Sequence, residues 1–405
     1  MGSIQTRQSA IQPVTEPAKA GLDGVIVGNT SIGEVQGERG FYHYRHYSAV
    51  ELAKQCSLEE VWYLLVAGEL PNASQLEEFT DKQVEFRSIP QALTPILKAL
   101  AATNPRPIDA LRTAVSSLGS VWEMRPSLDI DPSERQDDGI RLCAVMPTLV
   151  AHLYRQMQGL DPIEPDPKLS HATNALFMLS GKVTEPDVAR AFEQYLISTI
   201  DHGFNASTFT ARTITSTGAD IAAAAVGAIG ALSGPLHGGA PSRVLDMLDE
   251  LDTYREDDDS IKTCSIKTCS IKTWVRNRIE KRQKIMGFGH RLYRDEDPRA
   301  VLMRAVALEL GGTRVEQAVE VERQVLEAFD ELKPGHQIGT NIEFYAGVVM
   351  ERCGIPSELF TPMFACSRAI GWCAHIVEQA QEARLIRPTA QYVGPQVQQS
   401  ISRSR

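Results

Sequence analysis

Through most of the chain, apolar side chains recur every three or four positions, the spacing of helices that bury one face. The stretch "SLEEVWYLLVAGEL" opens at Ser57 with Glu60 three residues on, the pairing of a capping box, and Gly68 and Pro71 stop it. "TEPDVARAFEQYLISTIDHGF" repeats the device, with Thr184 as cap and Pro186 in the first turn. "RVEQAVEVERQVLEAFDELKPG" predicts an amphipathic helix ended by Pro334 and Gly335, and "ADIAAAAVGAIGALS", apolar nearly all round, predicts a buried one. Strand alternation is confined to roughly Gly24 to Tyr47, where "VIVGNTSIGEV" and "GFYHYRHY" predict a short hairpin through "QGERG". The pattern is that of an all-α chain with a small N-terminal β-hairpin.

The bulk numbers narrow the function. With 405 residues, 43% of them apolar, there is material for a sizeable core. A net charge of −10 argues against nucleic acid as a partner. No run of about eighteen apolar residues predicts a membrane span. Residues 1–20 lack the apolar centre of a signal peptide and read as a mobile polar tail. Seven cysteines without CxxC pairing read as reduced thiols of a cytoplasmic protein, and no spacing among cysteines and histidines predicts a metal. The acidic run 256–260 leads into "SIKTCSIKTCSIKTW", a nearly threefold pentamer. Five residues do not fit a helical turn, so the repeat reads as an exposed connection.

Four polar constellations stand out of this background. "SGPLHGGAPSR" places His237 at the start of a predicted helix, where outward backbone N–H groups disfavour imidazolium. A neutral ring there can donate to an oxygen that becomes negative, or it is simply a hydrogen-bonded turn histidine. "GFGHRLYRDEDPR" joins Gly287 and Gly289 to His290, Arg291, Arg294 and Arg299, below Lys281, Arg282 and Lys284. Flexible glycines beside cations suit phosphate or carboxylate binding; a solvated basic face explains the lysines but not the glycines. "TNIEFYAG" sets Glu343 in a weakly polar run, where desolvation makes a carboxylate a general base, unless it lies on an exposed helix face. "PMFACSRAIGWCAHIVEQ" embeds Arg368 in an apolar helix, where a guanidinium needs a glutamate or a bound anion; His375 reads as packing.

Together these strings, with "DHGFNASTFTAR" and "RPTAQYVGP", resemble citrate synthase in order and spacing from about Gly21 to Pro395, in particular the shorter bacterial citrate and 2-methylcitrate synthases. The resemblance implies a two-domain helical homodimer, with a large domain of 21–239 and 355–405 and a small one of 240–354 closing over the substrates. It implies condensation of acetyl-CoA with oxaloacetate and hydrolysis of the thioester, with no cofactor. His237 would hydrogen-bond the thioester oxygen, Glu343 would take the methyl proton and His290 would polarise the ketone. His202, Arg299 and Arg368 would hold oxaloacetate, with Arg387 reaching in from the partner subunit. Lys284, Gly287, Phe288, Gly289, Arg294 and Phe364 would contact the acyl-CoA.

The pattern departs from the family at Glu343, where most members carry aspartate. The extra methylene moves the carboxylate by roughly 1.5 Å if nothing else shifts, and a misplacement of that order slows catalysis ~100-fold. Leu292 in place of Val or Ile is milder, and the pentamer repeat is an insertion. The added N-terminal domain of NADH-regulated members is not matched, so no such regulation is expected. Two rivals follow: a 2-methylcitrate synthase using propionyl-CoA or another short acyl-CoA, since one methylene discriminates by only ~1–3 kcal/mol, and a non-catalytic oxaloacetate- or CoA-binding paralogue.

Overall fold

The structure, a computed structural model, describes residues 19–22, 24–238, 240–253, 266–290, 292–293, 296–335 and 338–394. Residues 1–18 of the predicted tail, and Arg291 and Arg294, lie outside them. Contacts divide the chain into one unit of Thr30–Arg384 and another from the chain ends, up to Asn29 and from Leu385.

The Thr30–Arg384 unit is helical, with one small sheet. Strands β1 (Gly33–Gln36), β2 (Phe41–Tyr44) and β3 (Tyr47–Ser48) run antiparallel in that order, with Val35 opposite Tyr42 and His43 opposite Ser48. The hairpin turns through Gly37–Arg39 as predicted, but β1 is shorter than the alternation implied, and 24–32 holds no strand. Tyr42 and Tyr44 bury one face of β2 and donate to the carbonyls of Ser198 (3.3 Å) and Ile197 (2.9 Å), at the end of the Pro186–Thr199 helix. Those bonds pin the segment from which Asp201 and His202 emerge.

Local chemistry sets most helix boundaries. Ser57 and Glu60 form the predicted capping box of the Leu58–Ala67 helix, and Gly68 ends it in the left-handed conformation. Pro186 opens its helix at the first position, but Glu185 precedes it and Thr184 makes no cap. The Ile221–Leu232 helix is capped by Asp220 and buries Ile221, Ala225, Ile229 and Leu232, while Ala223, Val226 and Gly230 are only partly buried, so it is not covered all round.

The repeat corrects a second expectation. A helix runs Ile266–Glu280, so the later copies are helical rather than a loop, and Ile271, Trp274 and Val275 are buried. Lys272 reaches Glu331 at 2.7 Å on the Thr313–Leu332 helix. The packing of Trp274 overrides the poor fit of a five-residue period. Cys264 lies outside the described residues.

The central element is the Phe360–Glu382 helix, which packs on the Pro132–Met157, Ala206–Thr215 and Ile221–Leu232 helices. Phe364, Arg368, Trp372, His375 and Gln379 follow at helical spacing on it. Cys366 and Cys373 are buried free thiols in the core, Cys373 with its sulfur 3.5 Å from that of Cys143.

Candidate active site

Each functional side chain is placed by a distinct local device. Asp297 caps the Pro298–Leu310 helix by accepting from Arg299 N at 3.0 Å, and it grips the Arg299 guanidinium at Nε (3.0 Å) and Nη2 (2.8 Å). Burial opposes ionisation of Asp297, but the paired guanidinium holds its carboxyl below the usual range. Asn341 caps the Ile342–Arg352 helix, whose first turn carries Glu343.

The glycine-rich loop is laced to the start of that helix. Gly289 N donates to Gly339 O at 2.8 Å, Asn341 N to Gly287 O at 2.9 Å, and Asn341 Nδ2 to Gly289 O at 2.9 Å. Gly287 has φ +82°, and a Cβ there would lie 2.7 Å from Phe344, so only glycine fits. Phe288 is half-buried, its ring 5.1 Å from that of Phe344. Lys284 is exposed beside the loop.

His290 Nδ1 accepts from the backbone N–H of Leu292 (3.0 Å) and Tyr293 (3.1 Å), which places the proton of the neutral ring on Nε2. Arg299 Nη2 lies 3.3 Å from that Nε2. Both are then donors, and an anionic oxygen accepting from both satisfies them. His290 keeps an exposed edge, but desolvation by its neighbours first and Arg299 second push the ring down to about 4, so it is neutral at ordinary pH.

His202 stands beside this pair. Its ring centroid is 5.8 Å from that of His290, and Nε2 meets the Tyr293 hydroxyl at 2.9 Å. Burial, then Arg299, Arg368 and His290, hold its pKa well below the usual value.

Arg368 is 2% exposed. Its Nε donates to the Thr199 carbonyl at 2.7 Å, and its guanidinium lies 4.7 Å over the Phe364 ring. Among the described residues no carboxylate forms an ion pair with it. Burial lowers its pKa to about 10. The Asp201 carboxylate acts on this charge without bonding to it, and no described carboxylate is in direct contact with the guanidinium.

His237 Nε2 lies 2.8 Å from Ser207 Oγ, which also receives the indole N–H of Trp372 at 3.1 Å and donates its own proton to Asn205 Oδ1 at 2.8 Å. Its pKa falls to about 4, through burial first and Arg368 second. The ring is neutral as the sequence implied, but burial and a cation are the causes.

Glu343 is half-buried and its carboxylate accepts no hydrogen bond from a described residue. Burial raises its pKa to about 7; Arg299 and Lys284 oppose that rise, and Asp297 adds to it. His202, His237, His290, Arg299, Arg368 and Glu343 thus act on one another electrostatically, three rings neutral beside a carboxylate poised to exchange a proton. Arg387 belongs to the chain-end unit, where it is exposed and donates to the Pro388 carbonyl at 3.0 Å.

Several participants escaped the sequence reading. Asp297 was legible as an Asp-Pro-Arg helix start. Ser207 and Trp372 lie 165 residues apart, and no spacing rule joins them. His375, read as packing, bridges Asp201 (3.1 Å) and Arg212 (3.2 Å) in a wholly buried polar chain.

The profile of the citrate synthase C-terminal domain matches residues 21–389. The chain belongs to the citrate synthase family. It is 37% identical to a citrate synthase of Haloferax volcanii over 93% of this chain and 96% of the relative. It is 39% identical to a 2-methylcitrate synthase of Mycobacterium tuberculosis over 97% and 95%. The fold matches a crystal structure of citrate synthase from Thermotoga maritima with a TM-score of 0.81 at 34% identity, covering 95% of this chain and 98% of that one. It also matches the Thermoplasma acidophilum enzyme in its ternary complex with carboxymethyl coenzyme A and oxaloacetate, with a TM-score of 0.83 at 26% identity over 96% and 99%. As in other citrate synthases, then, an acyl-CoA:oxaloacetate transferase is encoded here, and the helical architecture with its small sheet is the family's.

Proposed function

We propose that this citrate synthase condenses acetyl-CoA with oxaloacetate and hydrolyses the resulting thioester to citrate and CoA. The observation that carries the reading is Arg368, a buried guanidinium to which no described carboxylate is bonded, next to Arg299 and three histidines. A dianionic keto acid supplies a bonded anion, and charge-assisted bonds from both arginines fix its orientation.

A thioester methyl is too weak an acid for a carboxylate alone. Glu343 takes the proton while His237 donates to the oxygen that becomes the enolate. Donation from Nδ1 of His237 requires Ser207 to turn its one hydroxyl proton from Asn205 Oδ1, to which it donates at 2.8 Å, towards His237 Nε2. The enolate carbon attacks the ketone of oxaloacetate, whose oxygen accepts from His290 Nε2–H. Water then cleaves the thioester and CoA leaves. Lys284, Gly287, Phe288, Gly289 and Phe364 contact the acyl-CoA in this reading, 240–354 closes over it, and Arg387 completes the site of a partner subunit.

Propionyl-CoA is the second reading, because relatives named 2-methylcitrate synthase match as well as those named citrate synthase. Thiol release from acetyl-CoA and propionyl-CoA at saturating oxaloacetate, compared as kcat/KM, decides between them. Binding of oxaloacetate with no thiol release from either would leave only the non-catalytic paralogue.

A further inference from the structure

The Tyr293 hydroxyl sits in the middle of the site without a role in the chemistry above. The side chain is 5% exposed. Its ring lies 4.7 Å from that of His290, and the Arg299 guanidinium lies 5.7 Å from its centroid. Among the described residues the hydroxyl makes one hydrogen bond, to His202 Nε2 at 2.9 Å.

His202 can hold only one ring proton. Burial, two guanidinia and a second imidazole disfavour the charged form, so the two nitrogens divide one donor and one acceptor between them. Nδ1 has no bond to any described residue, and it is not among the polar atoms sealed from solvent. It is therefore the nitrogen open to a ligand. If the ring donated to Tyr293, Nδ1 would present a lone pair that repels a carboxylate. If Tyr293 donates to the ring, Nδ1 carries the proton and attracts one.

We propose that Tyr293 is a positioning residue for the diacid: its hydroxyl donates to His202 Nε2 and locks the imidazole in the tautomer whose Nδ1–H binds substrate oxygen. The inference rests on the oxaloacetate reading of the site. It makes the hydroxyl a determinant of ground-state affinity on the diacid side, with no part in acyl-CoA binding.

The test is calorimetric titration of the full-length protein with oxaloacetate, alongside steady-state kinetics. Tyr293→Phe deletes only the hydroxyl, and the expected result is oxaloacetate binding weakened about tenfold. The KM for acyl-CoA stays within about twofold and Tm within a few degrees. A double-mutant cycle separates action through His202 from a direct contact. In a His202→Asn background the same Phe substitution should cost less than about twofold. Unchanged affinity in Tyr293→Phe overturns the proposal, and so does an equal loss in both backgrounds. Should the Phe variant fail to fold, Tyr293→Gln keeps a donor and Tyr293→Leu does not; equal affinities in those two also overturn it. A wild-type protein that binds no oxaloacetate sinks the functional reading itself, whereas normal wild-type binding with an indifferent Phe variant sinks only the role of Tyr293.

Discussion

The Asp297 carboxylate accepts a hydrogen bond from the backbone N–H of Ile342 at 3.1 Å, one residue before Glu343. One side chain thereby caps its own helix, neutralises Arg299 and fixes the start of the helix that carries the base. Asp297→Ala leaves Arg299 buried and unpaired, which costs about 3–5 kcal/mol. Thermal unfolding of the substrate-free protein should show a Tm lowered by several degrees. Asp297→Asn keeps much of the shape without the charge and should fall between. A Tm for Asp297→Ala equal to wild type would contradict the pairing.

Glu343 gives a prediction in pH. As base it must be ionised, so kcat/KM should rise with pH through about 7 and level off above. His237 and His290 have pKa values near 4 and add no limb in that range. Glu343→Gln should abolish deuterium exchange at the acetyl-CoA methyl and leave oxaloacetate binding intact. Stability should move the opposite way. The folded pKa is raised from 4.5 to about 7, so the folded state binds the proton more tightly, and stability is lost as pH rises between those values. The Gln variant escapes that loss. It should melt above wild type at pH 8 and with it at pH 4; identical melting curves at pH 8 would show that the carboxylate is not desolvated.

Much of this site was legible in four short strings because a helix start, a glycine loop or a lone arginine in an apolar helix is a local signal. Asp297, Arg299 and His290 lie within ten residues, so their chemistry travels together in the sequence. The Trp372–Ser207–His237 chain was not legible, since its members are brought together only by packing of the Phe360–Glu382 helix on the Ala206–Thr215 helix. The fold class followed from periodicity, and the misreadings share a cause. Val25 and Ile26 alternate like a strand but are exposed with no strand partner, and the pentamer violates helical period yet is held by buried Ile271 and Trp274.

Arg368 should separate function from stability. Arg368→Met removes a buried charge that no described carboxylate bonds, and such a replacement is often neutral or stabilising. The substrate-free Tm should hold or rise, while oxaloacetate binding weakens at least about 100-fold with the loss of charge-assisted bonds. Arg368→Lys should recover little, because a lysine cannot reproduce the planar fork or its stacking on Phe364. Strong destabilisation of the Met variant, read by the same melting experiment, would show that the buried Asp201 carboxylate depends on this charge.

The repeat offers a test of what a duplication costs. Because the copies are identical up to Thr273, deleting one copy regenerates the same sequence from Ile266 to Glu280 and only shortens the segment before it. Loop closure depends weakly on length, each doubling contributing about 0.6 kcal/mol, so Tm and kcat should be nearly unchanged. Deleting two copies is different in kind. It replaces the first turn of that helix with acidic residues from the preceding run, while Ile271 and Trp274 still have to reach the core. That variant should melt several degrees lower, with kcat/KM at the permissive temperature little affected. A large loss on removing the first copy would mean that the spacing before Ile266, and not the helix itself, is what the duplication supplies.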